Sequence, residues 1–164
     1  MDYTQHYDSP LGGILLASDG HALTGLWFDG QKYYADTLAA VHAEKTLPVI
    51  EETKRWLELY FQRKKPSFIP AVNLRTTAFR KAVLEILMTI PYGQTMTYGE
   101  IAGRIAAQRR LPRMSARAVG GAVSHNPISL IIPCHRVIGS DGSLTGYAGG
   151  LDKKTYLLQL ESGR

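Results

Sequence analysis

A chain of 164 residues is long enough for one sizeable domain or two small ones, and 45% hydrophobic with 20% charged residues is the balance of a soluble globular protein, not of a disordered or fibrous one. No apolar run approaches the roughly 20 residues that span a bilayer, and Met1-Asp2-Tyr3-Thr4-Gln5-His6 lacks the basic-then-apolar opening of a secretory signal, so a cytoplasmic protein with no membrane partner is expected. The net charge of +5 is unevenly spread: residues 1–70 carry a net of −2, residues 71–164 a net of +7, and no acid lies between Glu100 and Asp141, which favours a polyanion as partner of the second half over a merely solubilising basic face.

The first 30 residues read as β-structure. Ser9-Pro10-Leu11-Gly12-Gly13 signals a turn before Ile14-Leu15-Leu16-Ala17, and Ser18-Asp19-Gly20 another before Leu23-Thr24-Gly25-Leu26-Trp27-Phe28, which Asp29-Gly30 closes. Pro48 opens a helix to about residue 63, in which Ile50, Trp56, Leu57, Tyr60 and Phe61 recur near helical spacing until Lys64-Lys65-Pro66-Ser67 breaks it. Residues 68–74 are expected to add a strand. His6, His21 and His42 have no metal-ligand spacing, so no metal site is expected. Residues 1–74 thus read as a small N-terminal α/β domain without a chemical motif.

From residue 75 the pattern turns helical. Thr76 or Thr77 can cap a helix whose Phe79, Val83, Ile86, Leu87 and Ile90 follow the 3.6 period, and Pro91-Tyr92-Gly93 ends it. Thr97-Tyr98-Gly99-Glu100 is a capping box opening a helix to about Ala107. After the basic turn Arg109-Arg110-Leu111-Pro112-Arg113, Ser115 caps a helix to about Ser124, which Asn126-Pro127 stops. Two short helices joined by a turn have the outline of a helix-turn-helix. The adjacent Gly120 and Gly121 cost roughly 1 kcal/mol each against alanine inside a helix. They suit close approach to a neighbouring helix or to a nucleic-acid groove, and Arg117 at the head of the helix favours the groove.

Ile128-Ser129-Leu130-Ile131-Ile132 reads as a short buried strand. Pro133 holds Ile132 extended and cannot donate to a ladder, so pairing should stop there and leave Cys134 at a strand end. Leu144-Thr145-Gly146-Tyr147-Ala148-Gly149-Gly150 is glycine-rich without phosphate-cradle spacing, so no nucleotide cofactor is expected. Asp152 is expected to cap a last helix carrying Tyr156, Leu157, Leu158 and Leu160 and ending near Glu161.

Cys134 is the only cysteine, so it forms no internal disulfide, as suits a reducing compartment. A lone cysteine beside an apolar strand is most often a small hydrophobe. The alternative is a nucleophile, which acts as the thiolate and needs a base or a cation to ionise. His135 and Arg136 follow directly, although successive side chains of an extended strand point apart. A Cys134–His135 relay therefore requires a bend, for which Pro133 is well placed, or a bridging water. Glu161, the last acid of the chain, could orient the histidine.

Ile132-Pro133-Cys134-His135-Arg136-Val137-Ile138 is similar to the active-site signature of the O6-alkylguanine-DNA alkyltransferases, the methylated-DNA–protein-cysteine methyltransferases. Arg117-Ala118-Val119-Gly120, Asn126-Pro127, Gly146-Tyr147-Ala148-Gly149-Gly150, Lys154 and Leu157-Leu158 with Glu161 also match in order and spacing, as do Ile90-Pro91-Tyr92-Gly93 and Tyr98-Gly99-Glu100-Ile101-Ala102. The match covers residues 76–161 well and the first 70 in outline.

The resemblance implies an α+β protein: an N-terminal RNase H-like α/β domain over residues 1–74, then a mostly helical, winged helix-turn-helix-like domain over 75–164. It implies stoichiometric, single-turnover transfer of an alkyl group from O6-alkylguanine, and less well from O4-alkylthymine, in double-stranded DNA to Cys134, with the base flipped out. His135, through water and Glu161, would take the thiol proton. Tyr98 would crowd the phosphate and protonate the departing guanine, and Asn126 would hold the turn before the active-site strand. Arg117 would fill the vacated stack, with Tyr98, Gly99, Ala118, Gly121 and Ser140 also at the DNA. Tyr147, Ala148 and Gly149 would wall the base pocket. No cofactor, structural zinc or obligate protein partner is implied; the protein would act as a monomer that can cluster along DNA.

The chain departs from the family in a stretch between Tyr98 and Arg117 several residues longer than in many members, in Leu84 where tryptophan is common, and in Ala148 where some members have serine. Two other functions compete: a lesion-binding protein without transfer, which Cys134 argues against, and a cysteine hydrolase using Cys134, a histidine and Asn126, for which no local signature is present.

Overall fold

Alternating and buried apolar runs, punctuated by turn glycines, build a sheet from the start of the chain. The computed structural model describes residues 1–163, so Arg164, the last residue of the expected second domain, lies outside the described residues. By their contacts these residues divide into two units: 1–75 with 127–131 and Gly163, and 76–126 with 132–162.

In the first unit β1 (Asp2–Ser9), β2 (Gly12–Ser18) and β3 (Leu23–Phe28) form an antiparallel meander, and β4 (His42–Glu44), which the sequence did not announce, adds in parallel to β1. The sheet order is β3-β2-β1-β4. The first hairpin turns at Pro10-Leu11, where Gly12 takes φ 99°, a region open to glycine without strain. Helix α1 (Pro48–Phe61) has proline in its first turn and buries Val49, Ile50, Thr53, Trp56, Leu57 and Tyr60, one face of a 3.6-residue period, against β1–β3. Asp2 is buried at the start of β1 and paired with Arg75, whose Nη1 and Nη2 donate to its carboxylate at 2.6 and 2.8 Å.

Two expected strands are replaced by single bridges. Within 68–74 only Val72 pairs, with Leu23. Within 128–132 only Ile128 pairs, with Leu26, whose N–H donates to Pro127 O at 2.9 Å while Ser129 N–H donates to Leu26 O at 3.0 Å. The chain then turns through Leu130 at φ 71°, which no strand can hold. All of 128–132 is buried, so the run carries no period to separate strand from turn. Residues 127–131, which a single boundary at 74/75 assigns to the second domain, group with the first unit.

The second unit is mostly helical, with the expected caps: Thr77 for α2 (Ala78–Leu87), Thr97 for α3 (Tyr98–Gln108) and Ser115 for α4 (Ala116–Ser124) each accept from the backbone N–H three residues on. α2, α3 and α4 pack on one another. β5 (Met96–Thr97) and β6 (Val137–Ile138) pair in parallel, and α5 (Leu151–Ser162) closes the unit. α5 begins at Leu151, one residue before the expected cap. Asp152 therefore sits in its first turn, where its charge still complements the helix dipole.

Candidate active site

The expected strand end at Cys134 is instead a bend. Pro133, at φ −80° and ψ 66°, is the centre of an inverse γ-turn in which Cys134 N–H donates to Ile132 O at 2.8 Å. Cys134–Arg136 then form one turn of 3-10 helix, closed by Arg136 N–H to Pro133 O at 3.0 Å. At three residues per turn, Cys134 and His135 no longer point to opposite faces. Asn126, 4% exposed, donates its Nδ2 to the same Ile132 carbonyl at 2.8 Å and so ties the end of α4 to the turn that carries the sulfur. Cys134 itself is 5% exposed.

Glu161, on α5, collects four donors. Its Oε2 accepts from His135 Nε2 at 2.5 Å and Arg136 Nη2 at 3.0 Å; its Oε1 accepts from Arg136 Nε at 2.7 Å and the Gly93 N–H at 3.1 Å. Gly93 takes φ +79°, and a Cβ there would stand 3.3 Å from Glu161 O. That turn has little room for any other residue. Burial alone would push the Glu161 carboxyl up, but the hydrogen bonds and charges of His135 and Arg136 outweigh it and hold it well below the usual carboxylate range. Burial holds the His135 imidazole below its usual value of 6.5, against the pull of Glu161. At neutral pH the ring is therefore neutral. Facing a carboxylate, Nε2 carries the hydrogen, which makes Nδ1 the basic nitrogen.

Lys154, on the same helix as Glu161, is fully buried. Its Nζ donates to Val137 O at 2.6 Å, just after the cysteine turn, and to Gly146 O at 2.8 Å, at the start of the Tyr147 loop. Burial lowers its pKa, and attraction to an ionised Cys134 works against that. Lys154, Arg136 and the Gly93 N–H are site members that were not singled out from the sequence as site residues. Arg136 falls within the acid-free basic window of the sequence and also follows Cys134 as a candidate cation; it is 8% exposed, with Nη1 donating to Ile90 O at 2.8 Å and its guanidinium 5.7 Å from the Tyr92 ring centroid.

The remaining candidates lie around this core. Arg117, Ala118 and Gly121 share the solvent face of α4, while Val119, Ala122 and Val123 face inward. A Cβ on Gly121 would meet nothing, so no internal packing demands that glycine, and a Cβ on Gly120 would come only within 3.9 Å of the Tyr98 ring. Half-buried Tyr98 and exposed Gly99 form the first turn of α3. Ser140 is exposed on the turn closed by Gly139 N–H to Ser143 O. Tyr147, Ala148 and Gly149 are half-buried in the turn before α5. Among the described residues no group of three His, Cys, Asp or Glu side chains could hold a metal ion, and no helix is long and apolar enough to cross a membrane.

Residues 78–163 match the family model of the 6-O-methylguanine DNA methyltransferase DNA-binding domain, and residues 3–74 that of its ribonuclease-like domain. The chain belongs to the 6-O-methylguanine DNA methyltransferase family. It is 42% identical over 161 residues to the methylated-DNA–protein-cysteine methyltransferase of Haemophilus influenzae, covering 97% of this chain and 86% of that one. It is 46% identical over 160 residues to that of Methanosarcina barkeri, covering 97% and 96%. Among solved structures, a Mycobacterium tuberculosis OGT in complex with DNA matches with a TM-score of 0.86 at 40% identity, over 98% of this chain and 93% of that one. The α+β architecture expected from the sequence is thus that of this methyltransferase family, a ribonuclease-like unit followed by a DNA-binding one.

Proposed function

We propose that this chain repairs alkylated DNA by moving the alkyl group from O6 of guanine, and less well from O4 of thymine, to its own Cys134. The observation that carries the reading is the Glu161 clamp. A buried carboxylate fixes the tautomer of the histidine next in sequence to the one cysteine, within a single 3-10 turn. His135 Nδ1, directly or through one water, accepts the thiol proton. The thiolate attacks the alkyl carbon, the carbon–oxygen bond breaks, and Tyr98 returns a proton to the departing guanine. The product is a thioether that no group in the site can reopen, so each molecule reacts once.

The buried sulfur reaches an O6 atom only if the base leaves the duplex stack. α4 is suited to extruding it, because its solvent face is a small-residue strip of Ala118 and Gly121 headed by the long Arg117, which would occupy the vacated stack. Gly99 and Ser140 would meet the DNA backbone beside it. Tyr147, Ala148 and Gly149 would wall the pocket for the extruded base, with Lys154 holding their loop against the cysteine turn. The thiol requires no cofactor and would stay reduced in the cytoplasm.

The test mixes the protein with duplex DNA carrying O6-methylguanine and measures intact mass. One added methyl on Cys134, stoichiometric and absent in Cys134→Ala, is expected. Unmodified protein that retains the lesion would point to binding without transfer, and catalytic turnover would point to a hydrolase.

A further inference from the structure

The basic segment between α3 and α4 has no part in the chemistry at Cys134. α3 ends in a Schellman motif: Leu111 N–H donates to Ala106 O at 2.8 Å and Arg110 N–H to Ala107 O at 3.3 Å. The residue this motif places in the left-handed region is Arg110, at φ 54°, where glycine fits more easily. An arginine therefore stands where backbone geometry alone would select glycine. The same substitution ends α1, with Arg63 at φ 60° and Lys64 N–H donating to Leu59 O. Strain by itself does not single out the second case; the surroundings do. Arg109, Arg110, Leu111, Pro112 and Arg113 are all exposed, they run into the N-terminus of α4 four residues before Arg117, and no carboxylate occurs from residue 101 to 140. None of Arg104, Arg109, Arg110, Arg113 and Arg117 makes an ion pair among the described residues. Arg109 is steadied by the Phe79 ring, its guanidinium carbon 5.3 Å from the centroid, which leaves Arg110 and Arg113 as the outward charges.

We infer that the Arg109–Arg113 segment is a phosphate-binding arm that grips the DNA backbone beside the recognition helix and sets affinity for duplex whether or not a lesion is present. The inference rests on the alkyltransfer reading for the choice of DNA as the polyanion. Exposed guanidinium groups next to a helix N-terminus, whose orphan N–H groups also favour anions, are suited to phosphate oxygens. The contact is to the backbone and carries no sequence information.

The experiment compares the full chain with an Arg110→Gly/Arg113→Ala variant. The control is Arg63→Gly/Lys65→Ala, which removes the same charge and the same kind of strained arginine from the other unit. Binding to undamaged duplex is followed by fluorescence anisotropy over a series of salt concentrations, alongside melting temperature and methyl transfer from free O6-methylguanine base. Each lost phosphate contact lowers the slope of log K against log salt by about 0.9. The arm variant should therefore lose about 1.8 in slope and at least tenfold in affinity at moderate salt. Its melting temperature should be unchanged or higher, and transfer from the free base unchanged. The control should keep the parent slope. An arm variant with the parent's slope and affinity would overturn the inference, as would an equal loss in the control. Failure of the parent chain to take up methyl from any substrate would instead overturn the alkyltransfer reading. The slope decides the arm in either event.

Discussion

Glu161→Gln removes one charge and almost no volume, which makes it a sharp test of the clamp. Each carboxylate oxygen takes two N–H donors: Arg136 Nε and Gly93 N on one, His135 Nε2 and Arg136 Nη2 on the other. Whichever oxygen the amide NH2 replaces, donors face a donor. Arg136, 8% exposed, would keep Ile90 O, the Tyr92 ring and one N–H to the remaining amide oxygen, but would lose its opposite charge and its second bond to residue 161. Removing one partner of a buried ion pair costs about 3–5 kcal/mol, a large share of the roughly 5–15 kcal/mol that holds a typical domain. Urea unfolding followed by far-UV circular dichroism at pH 7 should show a loss of that size with the slope unchanged.

The pH dependence has a definite sign. His135 and Glu161 are both held below their ordinary values of 6.5 and 4.5, so the unfolded chain binds protons more readily than the folded one. Parent stability is therefore fully present above pH 6.5, falls first as His135 sites in the unfolded chain protonate, and falls again below pH 4.5. The variant lacks the second contribution, so the gap between the two proteins should narrow as pH drops below 4.5. A loss under about 1 kcal/mol at pH 7, or a gap that stays constant into acid, would refute the idea of a buried, ionised clamp.

Asn126→Ala leaves Ile132 O with the Cys134 N–H alone and loosens the cysteine turn. A stability loss of about 1–3 kcal/mol is expected, with a slower single-turnover transfer. Parent values for both would dismiss the tie. Lys154→Met leaves the Val137 and Gly146 carbonyls without this donor and removes a cation that interacts electrostatically with Cys134. The pH at which the thiol reacts with iodoacetamide should shift upward; an unmoved profile would mean that Lys154 only packs. Arg117→Ala should retain most salt-sensitive duplex binding while slowing transfer from duplex at least tenfold and leaving transfer from free base alone; equal slowing on both substrates would count against a role in extrusion.

Local chemistry was the legible part of this chain. Thr77, Thr97 and Ser115 mark helix starts because the cap acts on an N–H three residues away, wholly within the sequence window. Cys134, His135 and Glu161 could be grouped because a thiolate needs a base and a base needs an orienter, whatever the fold. The 128–132 run was not legible: an apolar stretch buried on every side has no periodicity, and its shape is set by a single bridge to Leu26. Arg136 was legible as a cation beside Cys134, but its own partner was not, for a related reason. It lies in a stretch without acids, but its partner is 25 residues away, and only the fold makes a basic residue a buried one. Asp152 missed its expected cap by two residues, a shift that chain chemistry alone resolves poorly.

Lys154 and Glu161 stand seven residues apart on α5, two turns and about 10 Å of rise. One side of one helix thus carries the cation that ties Val137 and Gly146 and the anion that holds His135. An insertion or deletion of a single residue between them would rotate one charge by about 100° away from its partners, and no loop in that interval can absorb the error. The arm between α3 and α4 is different. It joins two separately capped helices, so residues can be added there without moving Cys134. Length variation in this protein is therefore confined by geometry, permitted where the chain would meet DNA and forbidden along the helix that carries Lys154 and Glu161.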